Sequence, residues 1–224
     1  MTASPTAAAV AAREPRLDAF LFWGQILCAL AFGATQLRAL HHSVAGASVS
    51  WIGLWLAFLL VNLSLALEAR RRQPGRAIQQ TVQIYTVWSA VCAVVLIYLL
   101  LRGAQWYPMD SLTAALTAAG VGVSLLYGKL SGRGIQDPYV RAGFAVFFKG
   151  VPQLTLAWHI LGHGGEGIAA FAFIAGHITI NMRLWQVWRA IREAGWDRHR
   201  GGIAIGEAAN EVSWVIATVA WLSV

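Results

Sequence analysis

Long apolar runs separated by short polar segments fill the sequence from residue 19 to its end. Seven runs of about 20 residues can be distinguished: 19–40, 49–68, 79–101, 109–128, 140–161, 166–187 and 203–223. At about 1.5 Å per residue, a helix of about 20 residues crosses a hydrocarbon core of about 30 Å. The pattern therefore predicts an all-α integral membrane protein with seven transmembrane helices, preceded by a disordered tail over residues 1–18.

The seven runs group as three, one and three. The fourth run is rich in Ala, Gly, Thr and Leu, and it lacks the side-chain amides that the other runs carry. It predicts a linker helix, which with its loops occupies residues 102–139. Residues 19–101 and 140–224 then form a first and a second three-helix bundle. An odd number of helices between two such bundles lets both enter the membrane from the same side, as parallel repeats.

The charge distribution predicts an orientation. The chain is 58% hydrophobic and 12% charged, with a net charge of +7. Such a charge could indicate a nucleic-acid partner, but most of the basic residues lie in loops between apolar runs or at the flanking helix ends, where they act as orientation signals. Most of them fall on one side of the membrane: Arg13, Arg16, Arg70, Arg71, Arg72, Arg76, Lys129, Arg133, Arg141, Arg183, Arg189, Arg192, Arg198 and Arg200. We therefore expect a protein of a bacterial inner (plasma) membrane, with its N-terminus cytoplasmic and its C-terminus exoplasmic. Its expected partners are the lipid bilayer and a small-molecule substrate, without nucleic acid, and a homo-oligomer is left open.

A short repeat relates the two bundles. The sequence GATQL at 33–37 recurs as GVPQL at 150–154, and Asn62 and Asn181 lie equally far beyond Gly46 and Gly165. A buried amide is costly in hydrocarbon unless it forms hydrogen bonds. Two readings stay open: each Asn bonds a neighbouring helix, or the two share a central substrate site.

Other polar side chains inside the runs are candidates for function. Pro152 lies near the middle of the fifth run and predicts either a static kink or a hinge. Lys149 and Glu211 lie at similar predicted depth, so an ion pair between them is expected. It is either a structural salt bridge, or Glu211 takes part in proton coupling or Lys149 binds an anionic substrate. In the seventh run Asn210 and Trp214 are four residues apart and share one helix face.

The GVPQL segment resembles the proline–glutamine signature of the PQ-loop superfamily, which includes the SWEET sugar facilitators and the lysosomal cystine transporters. The segment TQLR at 35–38, followed by HHSVAGASVSW up to 51, is similar to the first repeat of the same families. Thr35 stands where the family has proline, and SWEET proteins have the opposite orientation to the one that the charges predict. The resemblance implies alternating access between the two bundles. It also implies a pocket and hinges at these positions: Asn62, Asn181, Trp88, Trp214, Gln83 and Asn210 for the substrate, and Gln36, Pro152 and Gln153 for the hinges.

The predicted function is therefore a transporter of a small polar solute, sugar-like or a similar neutral metabolite. The alternatives are a Pnu-type vitamin (nucleoside-like) transporter and a membrane receptor or accessory protein that keeps the fold but moves nothing. The sequence contains no Gly-x-Ser-x-Gly elbow, no His-Glu-x-x-His pair and no paired-aspartate site, so an enzyme is not expected. No cofactor or metal site is predicted, because Cys28 and Cys92 both lie inside apolar runs.

Overall fold

The computed structural model describes residues 5–224, with side chains described from residue 19 onward. These residues form seven helices joined by short loops: α1 (Pro5–His42), α2 (Val49–Arg72), α3 (Arg76–Leu101), α4 (Pro108–Leu130), α5 (Pro138–His163), α6 (Ala170–Ala194) and α7 (Arg198–Leu222). Helix α1 overlaps the segment 1–18 that the sequence assigns to a disordered tail, and the side chains of that segment lie outside the described residues.

Six of the seven helices are long and apolar enough to cross a membrane: α2, α3, α4, α5, α7 and the part of α1 from Ala19 to His42. Helix α6 is not among them, because His177, Asn181 and Arg183 interrupt its apolar residues. The protein is therefore an all-helical protein of the membrane-embedded type, and the seventh span stays a prediction. Many large apolar side chains on the outer faces are exposed, including Leu27, Val94 and Leu116.

Local sequence explains where several helices begin. Ser48 caps α2, because its hydroxyl accepts a hydrogen bond from the Trp51 backbone amide. Asp137 caps α5 and Asp197 caps α7 in the same manner, each accepting from backbone amides of the first turn. Pro108 and Pro138 stand at the start of α4 and α5, where a missing backbone N–H costs nothing.

The helices pack as two groups of three around a central gap. Helix α3 packs against both α1 and α2, and α7 packs against both α5 and α6. Between the groups, α1 contacts α6 and α2 contacts α5, while α4 packs on α2 and α5. The same order of packing therefore occurs in each group, and the gap between the groups contains the candidate site.

Candidate functional site

A cavity of about 90 Å³ lies between the two groups of helices. Seven aromatic side chains line it. Trp55 of α2 lies 5.3 Å from Trp88 of α3, and Phe32 of α1 lies 5.8 Å from Trp88 (ring centroids). Trp214 of α7 donates its indole N–H to the Phe173 carbonyl at 3.2 Å, which fixes its ring against the cavity. The arrangement can hold a small flat solute by contact with ring faces.

A wider vestibule of about 540 Å³ adjoins this cavity towards one end of the molecule. The cavity and the vestibule share four lining residues, Phe58, Tyr85, Arg183 and Glu207, which therefore lie between the two spaces. The rest of the vestibule wall comes from Asn62 of α2 and from the parts of α3, α5, α6 and α7 near the basic loops.

The opposite end of the cavity is closed by contacts between the two groups. The Gln36 amide donates to the Gly167 carbonyl at 2.7 Å, and its oxygen accepts from the Ala169 backbone amide at 3.1 Å. The Gly167 amide donates to the Ala45 carbonyl at 2.9 Å. Gly46 has a positive φ of 76°, and a Cβ there would overlap the carbonyl of Gly164, so only glycine permits this approach of the two loops.

Tryptophan side chains add to the closure. Trp51, in the first turn of α2, lies 5.8 Å from Trp214 of α7 between ring centroids, so the two rings meet across the gap. Trp221 donates its indole N–H to the Gly165 carbonyl at 3.2 Å. The end of the cavity that lies away from the basic loops is thus sealed.

A group of charged side chains lies where the cavity meets the vestibule. Glu207 of α7 accepts from the Arg183 guanidinium at 2.8 Å, and its other oxygen lies 3.5 Å from Lys149 Nζ. Asn210 donates to the same second oxygen at 3.4 Å. Lys149 also lies 5.4 Å from the centre of the Phe58 ring. One carboxylate thus stands between two cations at the edge of the cavity.

The expected ion pair of Lys149 with Glu211 is wrong, because Lys149 pairs with Glu207. Residue 211 lies one turn further along α7 and faces α6. There Glu211 accepts from the Asn181 amide at 2.9 Å and lies 2.7 Å from His177 Nδ1. Helix periodicity gives the depth of a residue, but the neighbour that each face meets depends on how the helices pack.

The two asparagines of the repeat do not share one site. Asn62 lines the vestibule, where its oxygen accepts from Arg141 at 3.0 Å and its amide group donates to the Phe58 carbonyl at 2.9 Å. Asn181 is exposed and lines neither cavity, since its amide group bonds Glu211 and the His177 carbonyl. The expectation that both would converge on the substrate is therefore corrected.

Of the other expected pocket residues, three line the central cavity and one does not. Trp88, Trp214 and Asn210 all line the central cavity. Gln83 is exposed and lies outside both cavities, because it projects from the face of α3 opposite to the one that holds Tyr85. The cavity wall thus includes the two predicted tryptophans, together with Trp51 and Trp55, for which the sequence alone favours interfacial anchoring and packing.

The proline of α5 follows an irregular turn. Residues Val146–Gly150 form a π-helical segment, in which the Val151 amide donates to the Val146 carbonyl. Pro152 has no N–H to continue this pattern to the Phe147 carbonyl, which accepts instead from the Thr117 hydroxyl of α4 at 2.9 Å. The π-helical segment carries Lys149, so the break in the helix lies at the edge of the cavity.

The two glutamines of the repeat have different partners. Gln36 joins the two groups at the sealed end, as described above. Gln153 bonds within the second group, donating to Asn210 at 2.9 Å and accepting from the Ser213 hydroxyl, and it also lines the cavity. Whether either glutamine moves as a hinge stays a prediction.

A second polar cluster lies near the sealed end. Asp110 of α4 is fully buried and accepts from the hydroxyls of Ser48 and Ser50 and from the Tyr107 backbone amide. His159 Nε2 lies 3.3 Å from the Asp110 carboxylate. This cluster joins the start of α2 to α4 and α5.

At the vestibule end, Asp137 connects α5 to α7. Its carboxylate accepts from Arg198 Nε at 2.9 Å and from the Tyr139 backbone amide at 2.9 Å. The hydrogen bonds from the Arg198 guanidinium hold the pKa of Asp137 below its ordinary value.

Glu207 and Arg183 are the functional candidates that the sequence reasoning missed. Both fall inside predicted spans, and Glu207 stands three residues before Asn210 on one helix face. That spacing could have placed Glu207 beside Asn210 in the predicted pocket. Within the described part of the chain, no group of three or more His, Cys, Asp or Glu side chains could hold a metal ion.

Neither a family model, nor a curated protein, nor a solved structure matches this chain.

Proposed function

We propose that this protein is a membrane transporter that carries a small polar solute by alternating access between its two groups of three helices. The observation that carries this proposal is the pair of adjoining spaces between the groups. A cavity of about 90 Å³ adjoins a vestibule of about 540 Å³ at one end, and hydrogen bonds and ring contacts close the other end. A central cavity that is closed firmly at one end and borders a wider space at the other fits one state of an alternating-access carrier.

The packing order supports a two-unit carrier of the PQ-loop type. In each group the third helix packs against the other two, and α4 lies outside both groups as a linker. Contacts between groups run from α1 to α6 and from α2 to α5, which is the pairing that a two-fold relation between units produces. Rigid rocking of one unit against the other would open the sealed end and close the vestibule.

The distribution of basic residues supports an orientation in which the vestibule faces the cytoplasm. Cysteines at positions 3 and 222, as Ala3→Cys and Leu222→Cys, test it when Cys28 and Cys92 are replaced. An impermeant thiol reagent applied to intact cells is expected to label position 222 and to spare position 3. Labelling of position 3 from outside would reverse the orientation.

Solute uptake into proteoliposomes tests the transport function. A defined mixture of neutral sugars, amino acids and small carboxylates is offered outside, and the retained solutes are measured by mass spectrometry. Trp88→Ala removes a ring from the cavity wall, whereas Trp23→Ala removes one that is 59% exposed on the outer surface of α1. We expect uptake of at least one solute, lost in Trp88→Ala and retained in Trp23→Ala.

Two results would contradict the proposal. If no solute is taken up, although ligands stabilise the protein, the receptor alternative is favoured. If uptake is equal in Trp88→Ala and Trp23→Ala, the solute passes by a route other than this cavity.

A further inference from the structure

The cavity and its vestibule carry an excess of positive charge. Lys149, Arg141, Arg183 and Arg200 line the two spaces, with Glu207 as the one carboxylate among the described lining residues. Arg200 is compensated by Asp197, which lies 2.7 Å away outside the lining. Without Arg200, three cations still face one carboxylate. Walls of low polarity concentrate such a field and attract anions.

Among these charged side chains, Lys149 has the weakest ion pair. Arg183 takes one oxygen of Glu207 at 2.8 Å, whereas Lys149 Nζ lies 3.5 Å from the other. Arg141 donates to the neutral amide of Asn62 rather than to a carboxylate. Lys149 thus shares its counter-charge with Arg183, and a cation that is only partly neutralised away from water is costly, so an anionic ligand at Lys149 would offset that cost.

The size and walls of the cavity limit the rest of the ligand. At about 90 Å³ the cavity is small, so it favours a compact ligand. The rings of Trp55, Trp88 and Trp214 offer flat apolar faces around this space.

We propose that the solute is a small organic anion, whose carboxylate binds at Lys149 and whose flat apolar body lies against the tryptophan rings. This inference rests on the proposed transport function and specifies its substrate class, in place of the neutral, sugar-like solute expected from the sequence. Glu207 keeps Arg183 engaged, so that Lys149 is the cation that remains for the ligand.

Three ring compounds of equal size and different charge test the proposal: benzoate, benzamide and benzamidine. Each is titrated into the purified full-length protein in detergent, and binding is measured by the shift of the thermal unfolding midpoint and by quenching of tryptophan fluorescence. We expect binding in the order benzoate, then benzamide, then benzamidine. The unaltered protein suffices for this ranking, so the test does not depend on whether a variant folds.

Lysine variants then locate the anion. Lys149→Gln removes the cation at the cavity, and Lys129→Gln removes the same residue type at the end of α4, outside both cavities. Because a hydrogen bond to a charged partner is lost, we expect Lys149→Gln to weaken benzoate binding about tenfold or more. We expect benzamide binding to be unchanged in Lys149→Gln, and benzoate binding to be unchanged in Lys129→Gln.

The outcomes separate this inference from the transport proposal. Equal binding of benzoate and benzamide, or unchanged benzoate binding in Lys149→Gln, would overturn the organic-anion assignment. If carboxylates do not bind while neutral solutes are taken up by proteoliposomes, the substrate class is wrong and the transport proposal stands. If benzoate binds at Lys149 but no solute crosses the membrane, the anion site stands and the transport proposal fails.

Discussion

Replacing Gln36 by leucine should open the sealed end of the cavity. The Gln36 side chain is buried and forms two hydrogen bonds to the opposite group of helices, with the Gly167 carbonyl at 2.7 Å and the Ala169 amide at 3.1 Å. Leucine has a similar volume but neither donor nor acceptor. In the closed state both backbone groups then lose a partner, whereas in an open state water can reach them.

The size of the effect follows from the two bonds. At about 0.6–1.5 kcal/mol for each hydrogen bond, their loss shifts the balance between closed and open states by about 1–3 kcal/mol. That corresponds to about a 5- to 150-fold change in the open-to-closed ratio. The bond from the Gly167 amide to the Ala45 carbonyl remains, so closure is weakened rather than abolished.

Thiol labelling measures the open fraction. Ala172 lines the cavity in the first turn of α6, and Ala172→Cys provides a single thiol once Cys28 and Cys92 are replaced by alanine. In oriented vesicles, an impermeant reagent on the sealed side is expected to label this cysteine about 5- to 150-fold faster in Gln36→Leu. The labelling rate follows the open fraction when opening is fast compared with labelling.

Gln153→Leu is the matched control. It removes the equivalent glutamine of the repeat, whose bonds to Asn210 and Ser213 lie within one group of helices. It should reduce thermal stability while leaving the labelling rate unchanged. An unchanged rate in Gln36→Leu, or the same increase in Gln153→Leu, would refute the assignment of Gln36 as a contact that holds the sealed end closed.

Three further predictions concern other parts of the molecule. Asp110→Asn places an amide NH₂ among donors from Ser48 and Ser50, so the free energy of unfolding should fall by about 1–3 kcal/mol; an unchanged thermal midpoint would contradict this. A Cβ on Gly176 would overlap the Trp214 indole, whereas one on Gly122 meets nothing, so Gly176→Ala should impair uptake and Gly122→Ala should not; equal uptake in both would show that the position of Trp214 is unimportant. Because Arg198 lowers the pKa of Asp137, this carboxylate stabilises the fold fully above its unfolded pKa of about 4, and the contribution is lost as pH falls through the lower folded pKa. The midpoint difference between wild type and Asp137→Asn should therefore shrink below about pH 4, and a constant difference would exclude the ion pair as its cause.

Helix positions could be predicted from this sequence more reliably than helix faces. The predicted run 49–68 lies within Val49–Arg72, and 79–101 lies within Arg76–Leu101, because length and hydropathy alone determine a span. Asn181 is an example. The repeat predicts its position along the helix, but its hydrogen-bond partner is Glu211 on a neighbouring helix, and that contact depends on how α6 and α7 are rotated against each other.

The partners of charged residues were also not predictable from the sequence. Lys149 and Glu211 were paired by depth alone, yet Glu207, one turn away, lies on the face of α7 that meets the π-helical segment of α5. A π-helical turn inserts an extra residue into the helix and rotates all later positions. No residue pattern in the run 140–161 indicates it apart from Pro152, and even a proline kink does not specify that turn.

The two groups of helices contribute unequal chemistry to the cavity. The first group supplies rings, with Trp55 and Trp88 in contact, whereas the second supplies the Trp214 ring together with the charged side chains of Lys149, Arg183 and Glu207. A solute bound between them would contact rings of both units but charges of the second unit alone, so the second unit would keep the charged contacts when the units move apart. The unit with the charges also has the irregular helix, in which the Thr117 hydroxyl takes the place of a backbone donor. A side-chain hydrogen bond can exchange for a water more readily than a continuous helical ladder can, so we expect any bending of the second unit to occur in α5.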